Sequence, residues 1–112
     1  MMNTDDQKYI TEIVAIAQSI INGQKNAVES LRKMLTLLHK TSYIDDEIFL
    51  PIRGVEAETD EYPLGDAREG YSKAYLQRQD EEMEEYLEKI RIPLIEACKK
   101  IVCKYNQRDG VD

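Results

Sequence analysis

Residues 43–71 read YIDDEIFLPIRGVEAETDEYPLGDAREGY, and they separate two blocks of strongly helical pattern without sharing it. The stretch holds two of the three prolines, three of the five glycines and the only Phe. From Ile44 to Gly70 nine carboxylates stand against two arginines, a balance of −7 that equals the formal charge of the whole chain. The other residues carry thirteen basic and thirteen acidic side chains and cancel. One segment therefore owns the charge imbalance. Its apolar residues, Ile48, Phe49, Leu50, Ile52, Val55 and Leu64, predict a packed loop rather than a tail.

On its amino-terminal side, Thr4 with Gln7 reads as a capping box, and Asp5 and Asp6 suit the positive end of a helix dipole. Apolar residues at Tyr9, Ile10, Ile13, Val14, Ala17, Ile20 and Ile21 then keep helical spacing until Asn22-Gly23. A second helix is expected from about Gln24 to Lys40, with the stripe Ala27, Val28, Leu31, Met34, Leu35 and Leu38 inward and Glu29, Arg32 and Lys33 outward. The short link makes the two an antiparallel hairpin. On the carboxyl side, Ser72 is the expected cap of a third helix whose apolar spacing runs from Tyr75 to Tyr105. Pro93 predicts a kink near Lys89 rather than a break. The carboxylates Asp80, Glu81, Glu82, Glu84, Glu85 and Glu88 read as a solvated face.

Within the acidic stretch, Asp45-Asp46-Glu47 suggests one short helical turn closed by Pro51. Gly54 reads as a turn and residues 56–60 as a brief extended piece. Tyr62-Pro63-Leu64-Gly65 reads as a β-turn, which gives Pro63 and Gly65 structural roles. The expected fold is all-α: an antiparallel helical hairpin plus a long kinked third helix, with a packed acidic loop between helices two and three. Residues 1–112 form a single domain, with 1–3 and 107–112 expected to be loose.

Composition narrows the partners. Nucleic acid and anionic lipid both call for local positive charge, so neither is expected. No run approaches the length of a membrane span, and the acidic amino end does not resemble a secretory signal. Cys98 and Cys103 lie five residues apart on one helix and point to different faces, so both are expected to be reduced, in a cytoplasmic protein.

Catalytic signatures are missing. There is no phosphate-binding glycine loop, His-Glu-x-x-His, zinc-spaced cysteine pair or Gly-x-Ser-x-Gly elbow. His39, the sole histidine, reads as a cap of the second helix. Pairing it with Asp45 or Asp46 as a base and its orienter leaves no nucleophile. The carboxylates are of the type that calcium or magnesium takes, but EF-hand spacing is lacking, so no metal and no cofactor are expected. Arg53 and Arg68 read as structural, each pairing with a loop carboxylate. Asp45, Asp46, Glu47, Glu56, Glu58, Asp60, Glu61 and Asp66, with Tyr62 and Tyr71 as aromatic anchors, form the candidate surface for a basic protein. The competing reading is that the rings of Tyr43, Phe49, Tyr62, Tyr71 and Tyr75 fasten the loop to the helices.

The order Asp46-Glu47-Ile48-Phe49-Leu50-Pro51, Gly54, Glu58-Thr59-Asp60, Pro63-Leu64-Gly65 and Arg68 resembles an uncharacterised family of small bacterial helical proteins. The Glu-Thr-Asp-x-x-Pro-Leu-Gly element is its most specific part, and the resemblance implies no catalytic residue. By type, the chain is also similar to bacterial toxin-immunity proteins. The expected function is accordingly a non-enzymatic, protein-binding inhibitor of immunity or antitoxin type, covering a basic toxin domain such as a nuclease. The alternatives are a housekeeping helical interaction or dimerisation domain, which would make a homo-oligomer, and a divalent-cation-binding protein.

Overall fold

The computed structural model describes residues 4–23 and 26–106. Five α-helices follow in order: α1 (Thr4–Ile21), α2 (Ala27–Leu38), α3 (Leu50–Thr59), α4 (Lys73–Lys89) and α5 (Arg91–Tyr105). Two 3-10 helices, Glu47–Phe49 and Gly65–Gly70, flank α3. No strand occurs among the described residues, so the fold is all-α. The expected loose ends, the start of helix two at Gln24 and the Thr4 side chain of the capping box lie outside the description.

The apolar stripe of α1 packs against α2 and α5, and α3 packs against α2 and α5. Ile13, Ala17, Leu31, Met34, Leu38, Cys98 and Ile101 are almost wholly buried at the centre. Gly23 ends the first helix at φ 82°, a left-handed conformation that costs glycine little. Asp6 is buried near the start of α1, where its carboxylate accepts from the Ser42 hydroxyl at 2.5 Å and the Ser42 backbone N–H at 3.3 Å. That contact fixes the chain as it leaves α2.

The acidic stretch departs most from expectation, because much of it is helical. The Asp46 side chain caps the first 3-10 turn by accepting from the Ile48 N–H. Pro51 then opens α3 instead of closing the turn, since a first-turn residue needs no N–H partner. Gly54 and residues 56–59 lie inside α3, so neither the turn nor the extended piece forms. Phe49, Ile52, Val55 and Thr59 bury one side of this unit. Thr59 gives its hydroxyl to the Val55 carbonyl, which lets a polar residue occupy a buried helical position. The β-turn at Tyr62–Gly65 is replaced by turn bonds from Tyr62 N–H to Thr59 O and from Ala67 N–H to Leu64 O. Leu64 is extended, and Gly65 at φ 57° starts the second 3-10 helix.

The expected third helix is two helices joined at Ile90, whose φ of −104° and ψ of 11° are not helical. Pro93 lacks the N–H that would bond to the Lys89 carbonyl, and its ring crowds that oxygen. Bonds on either side, Ile90 N–H to Tyr86 O and Leu94 N–H to Ile90 O, carry the chain across the junction. α4 contains no fully buried residue. Only its carboxyl half, through Tyr86 and Leu87, packs on the core.

Candidate protein-binding surface

Three arginines shape the acidic segment, and none does so through a carboxylate of that segment. Arg53 donates to the Ile44 carbonyl at 2.8 Å. Arg68 donates through two nitrogens to Asp80 of α4, both at 2.9 Å, and weakly to the Pro63 carbonyl at 3.4 Å. Arg32, expected to face outward, is half-buried and donates to the Thr59 carbonyl at 2.5 Å, satisfying the carboxyl end of α3. Charge-assisted bonds to carbonyls hold the backbone and leave the segment's carboxylates without these cations.

Asp46 is the exception among those carboxylates. It receives the Lys104 ammonium at 2.5 Å, the Tyr105 hydroxyl in a short hydrogen bond, and the Ile48 N–H. Burial works to raise its pKa, but these donors outweigh it and hold the carboxyl below its ordinary value. Asp46 therefore clamps the segment to the end of α5, through bonds to Lys104 and Tyr105. Tyr43 meets the Tyr105 ring edge-on at 5.4 Å between centroids, and Phe49 stacks on it at 5.9 Å. Two of the five candidate aromatics are thus fasteners of the fold.

The other carboxylates point elsewhere. Asp45, Glu47, Glu58, Asp60, Glu61, Asp66 and Glu69 are exposed and Glu56 is half-buried. Among the described residues none of the eight forms an ion pair. Pro63 is buried, as a structural residue should be. Tyr71 is 48 % exposed and stacks at 4.8 Å on Tyr75, which is half-buried, beside the second 3-10 helix. Tyr62 is half-buried. Burial, then the fields of Glu82, Glu61 and Glu58, push its hydroxyl above the ordinary tyrosine range. Tyr86 is shifted the same way by burial, then Glu58 and Tyr62. These two rings and three carboxylates therefore lie within electrostatic reach of one another, and Glu58 and Tyr86 line one groove.

Sequence reading placed Glu82 and Tyr86 in a solvated run and a core stripe, and missed that they join Tyr62 and Glu58. Their only signal was helical phase, which cannot show which neighbour lies opposite. No group of three or more His, Cys, Asp or Glu among the described residues has the arrangement to hold a metal ion. No described helix is long and apolar enough to cross a membrane. Comparison with family models, curated proteins and solved structures finds no match to this chain.

Proposed function

We propose that this chain is a protein-binding inhibitor of immunity or antitoxin type, which covers a basic surface of a toxin domain with its acidic segment. The supporting observation is that eight of the segment's nine carboxylates lack a cationic partner within the described fold. Left unneutralised on a rigid helical frame, they project a negative field that draws in a basic partner and disfavours anionic ones. The exposed Tyr71, stacked on Tyr75, supplies aromatic contact area beside that field. Inhibition would follow from occupancy of the partner's basic surface and needs no chemistry from this chain.

The test is affinity capture from cells of the natural source, comparing the wild-type chain with a Glu58→Lys, Asp60→Lys, Glu61→Lys variant. The expected result is a basic protein held by the first and not the second, whose toxicity on expression is relieved by co-expressing the wild-type chain. Retention of the same protein by both, or a captured partner with no toxicity, contradicts the proposal.

A further inference from the structure

A mostly apolar groove of about 340 Å³ runs between α3 and the α4–α5 junction. Val55 and Leu94 form its buried floor, Pro51 and Gly54 one wall, and Ile90 and Pro93 the other. Its size is at the lower limit of ligand clefts and suits side chains better than a cofactor. Leu50 and Ile92, next in sequence to the two wall prolines, are 58 % and 74 % exposed but do not line the groove. Glu58 and Tyr86 close one end, where the carboxylates and rings described above meet.

Gly54 has no role in the fold that requires glycine. It lies inside α3 at an ordinary φ, and a Cβ there would meet nothing within 4 Å. Glycine in a helix interior lowers stability relative to almost any other residue except proline. What its bare backbone does provide is an open groove wall.

We propose that this groove is the anchoring site for the basic partner: it takes an aliphatic side chain, while a neighbouring Lys or Arg of the same partner segment lies against Tyr86 and Tyr62 among Glu58, Glu61 and Glu82. The inference rests on the proposed function for the kind of partner and adds where and by which side chains it is held. Charge selects this occupant over a second copy of the chain. Two copies related by a two-fold axis would bring the same acidic rim against itself, and each already carries −7. The groove between the α1–α2 turn and the α4–α5 junction is set apart by its own cation, Arg91, which lines it beside Glu84 and pairs with Glu88 at 4.0 Å, whereas no cation lines the α3 groove. A cation set between tyrosine faces and carboxylates gains from both.

The test is a nitrogen-15 amide NMR titration with the blocked peptide Gly-Ile-Leu-Lys-Arg-Gly. Two control peptides replace Lys-Arg by Gln-Gln or Ile-Leu by Ser-Ser. The expected result is saturable shifts at Gly54, Glu58, Tyr86 and Ile90, with each control weaker by about tenfold, as loss of a buried aliphatic anchor implies. Gly54→Gln fills the groove and should weaken the parent peptide by a similar factor while melting no lower than wild type, since glutamine is the better helix former. Shifts confined to Asp60, Asp66 and Glu69, equal in Gly54→Gln, would overturn the groove while leaving attraction of a basic partner intact. No shifts with any peptide would overturn it, and the capture experiment above then decides the function separately. Groove resonances that move with protein concentration alone would identify a second copy as the occupant and overturn the proposal.

Discussion

Arg68 and Asp80 form a two-point ion pair that ties the second 3-10 helix to α4, with both nitrogen–oxygen distances at 2.9 Å. The amino half of α4 has no place in the core. This pair and the Tyr71–Tyr75 stack join it to the preceding segment, and the Ser72 hydroxyl caps its first turn by accepting from the Tyr75 N–H. The hydrogen bonds from Arg68 keep the Asp80 carboxyl below its ordinary 3.8. Arg68→Ala should therefore lower the melting temperature more than Arg78→Ala, whose parent side chain is exposed. A carboxyl depressed in the folded state stabilises above its unfolded pKa, and that gain is lost as pH falls through the folded value. The difference between wild type and Arg68→Ala should narrow below pH 3.8. Equal melting of the two alanine variants at neutral pH would remove the tie assigned to Arg68.

Asp46 carries more of the fold than its neighbour. It caps a 3-10 turn and receives Lys104 and Tyr105 from the far end of the chain. Asp46→Ala should cost about 1–3 kcal/mol, the range for losing a cap and a charged hydrogen bond. Asp45→Ala, at an exposed site, should stay within about 0.5 kcal/mol of wild type. The sign of the pH dependence matches that of Asp80: the Asp46 contribution is present above 3.8 and fades as pH falls through its lowered folded value. Chemical denaturation of both variants at neutral and acid pH measures it. A cost for Asp45→Ala as large as that for Asp46→Ala would contradict the clamp.

The contrast between those adjacent aspartates shows what a sequence discloses. The stripes of α1, α2 and α5 were legible because an apolar residue returns every three or four positions and only a helix buries such a set. The helix α3 was not. Pro51 and Gly54 are both ordinary turn signals, Thr59 puts a polar residue in the buried stripe, and alternating glutamates imitate a strand. Tertiary burial of Phe49, Ile52 and Val55 overrode all three. Pro93 located the junction near Lys89, but the residue that leaves helical geometry is Ile90. Asp80 could not have been singled out from a run of six carboxylates, nor Arg32 from an outward face. In each case the deciding partner is distant in sequence, Arg68 for one and Thr59 for the other.

The Tyr62–Tyr86–Glu58 locality makes a spectroscopic prediction. The Glu58 charge raises the pKa of both tyrosines, so Glu58→Gln should lower both together. Glu82→Gln should lower that of Tyr62. Titration of the tyrosine ring carbons by NMR reads each site separately. If Glu58→Gln left both rings unmoved, the carboxylate would not share their surroundings.

The two thiols should separate cleanly. Cys98 is fully buried, and desolvation pushes its thiol up to about 11. Cys103 is exposed on the last turns of α5. A disulfide reagent at neutral pH should label Cys103 quickly and Cys98 only after denaturation, because the thiolate is the reactive form. Fast labelling of both in the native state would mean that α5 does not pack as described.

The central claim, that the acidic segment recruits a basic partner, is tested most directly by the association rate of the captured partner at low and high salt. Glu56→Lys, Glu58→Lys, Glu61→Lys forms one triple variant. Glu82, near Tyr62, is unsuitable as a control, so the matched triple is Glu12→Lys, Glu29→Lys, Glu96→Lys on α1, α2 and α5, with the same change in net charge. Steering raises association by roughly 10- to 1000-fold and weakens as the screening length falls to about 8 Å at physiological salt. A salt-sensitive rate is expected, slowed far more by the first triple than by the second, with dissociation governed by the aromatic contacts of Tyr62 and Tyr71. A rate indifferent to salt, or slowed equally by both triples, would contradict it.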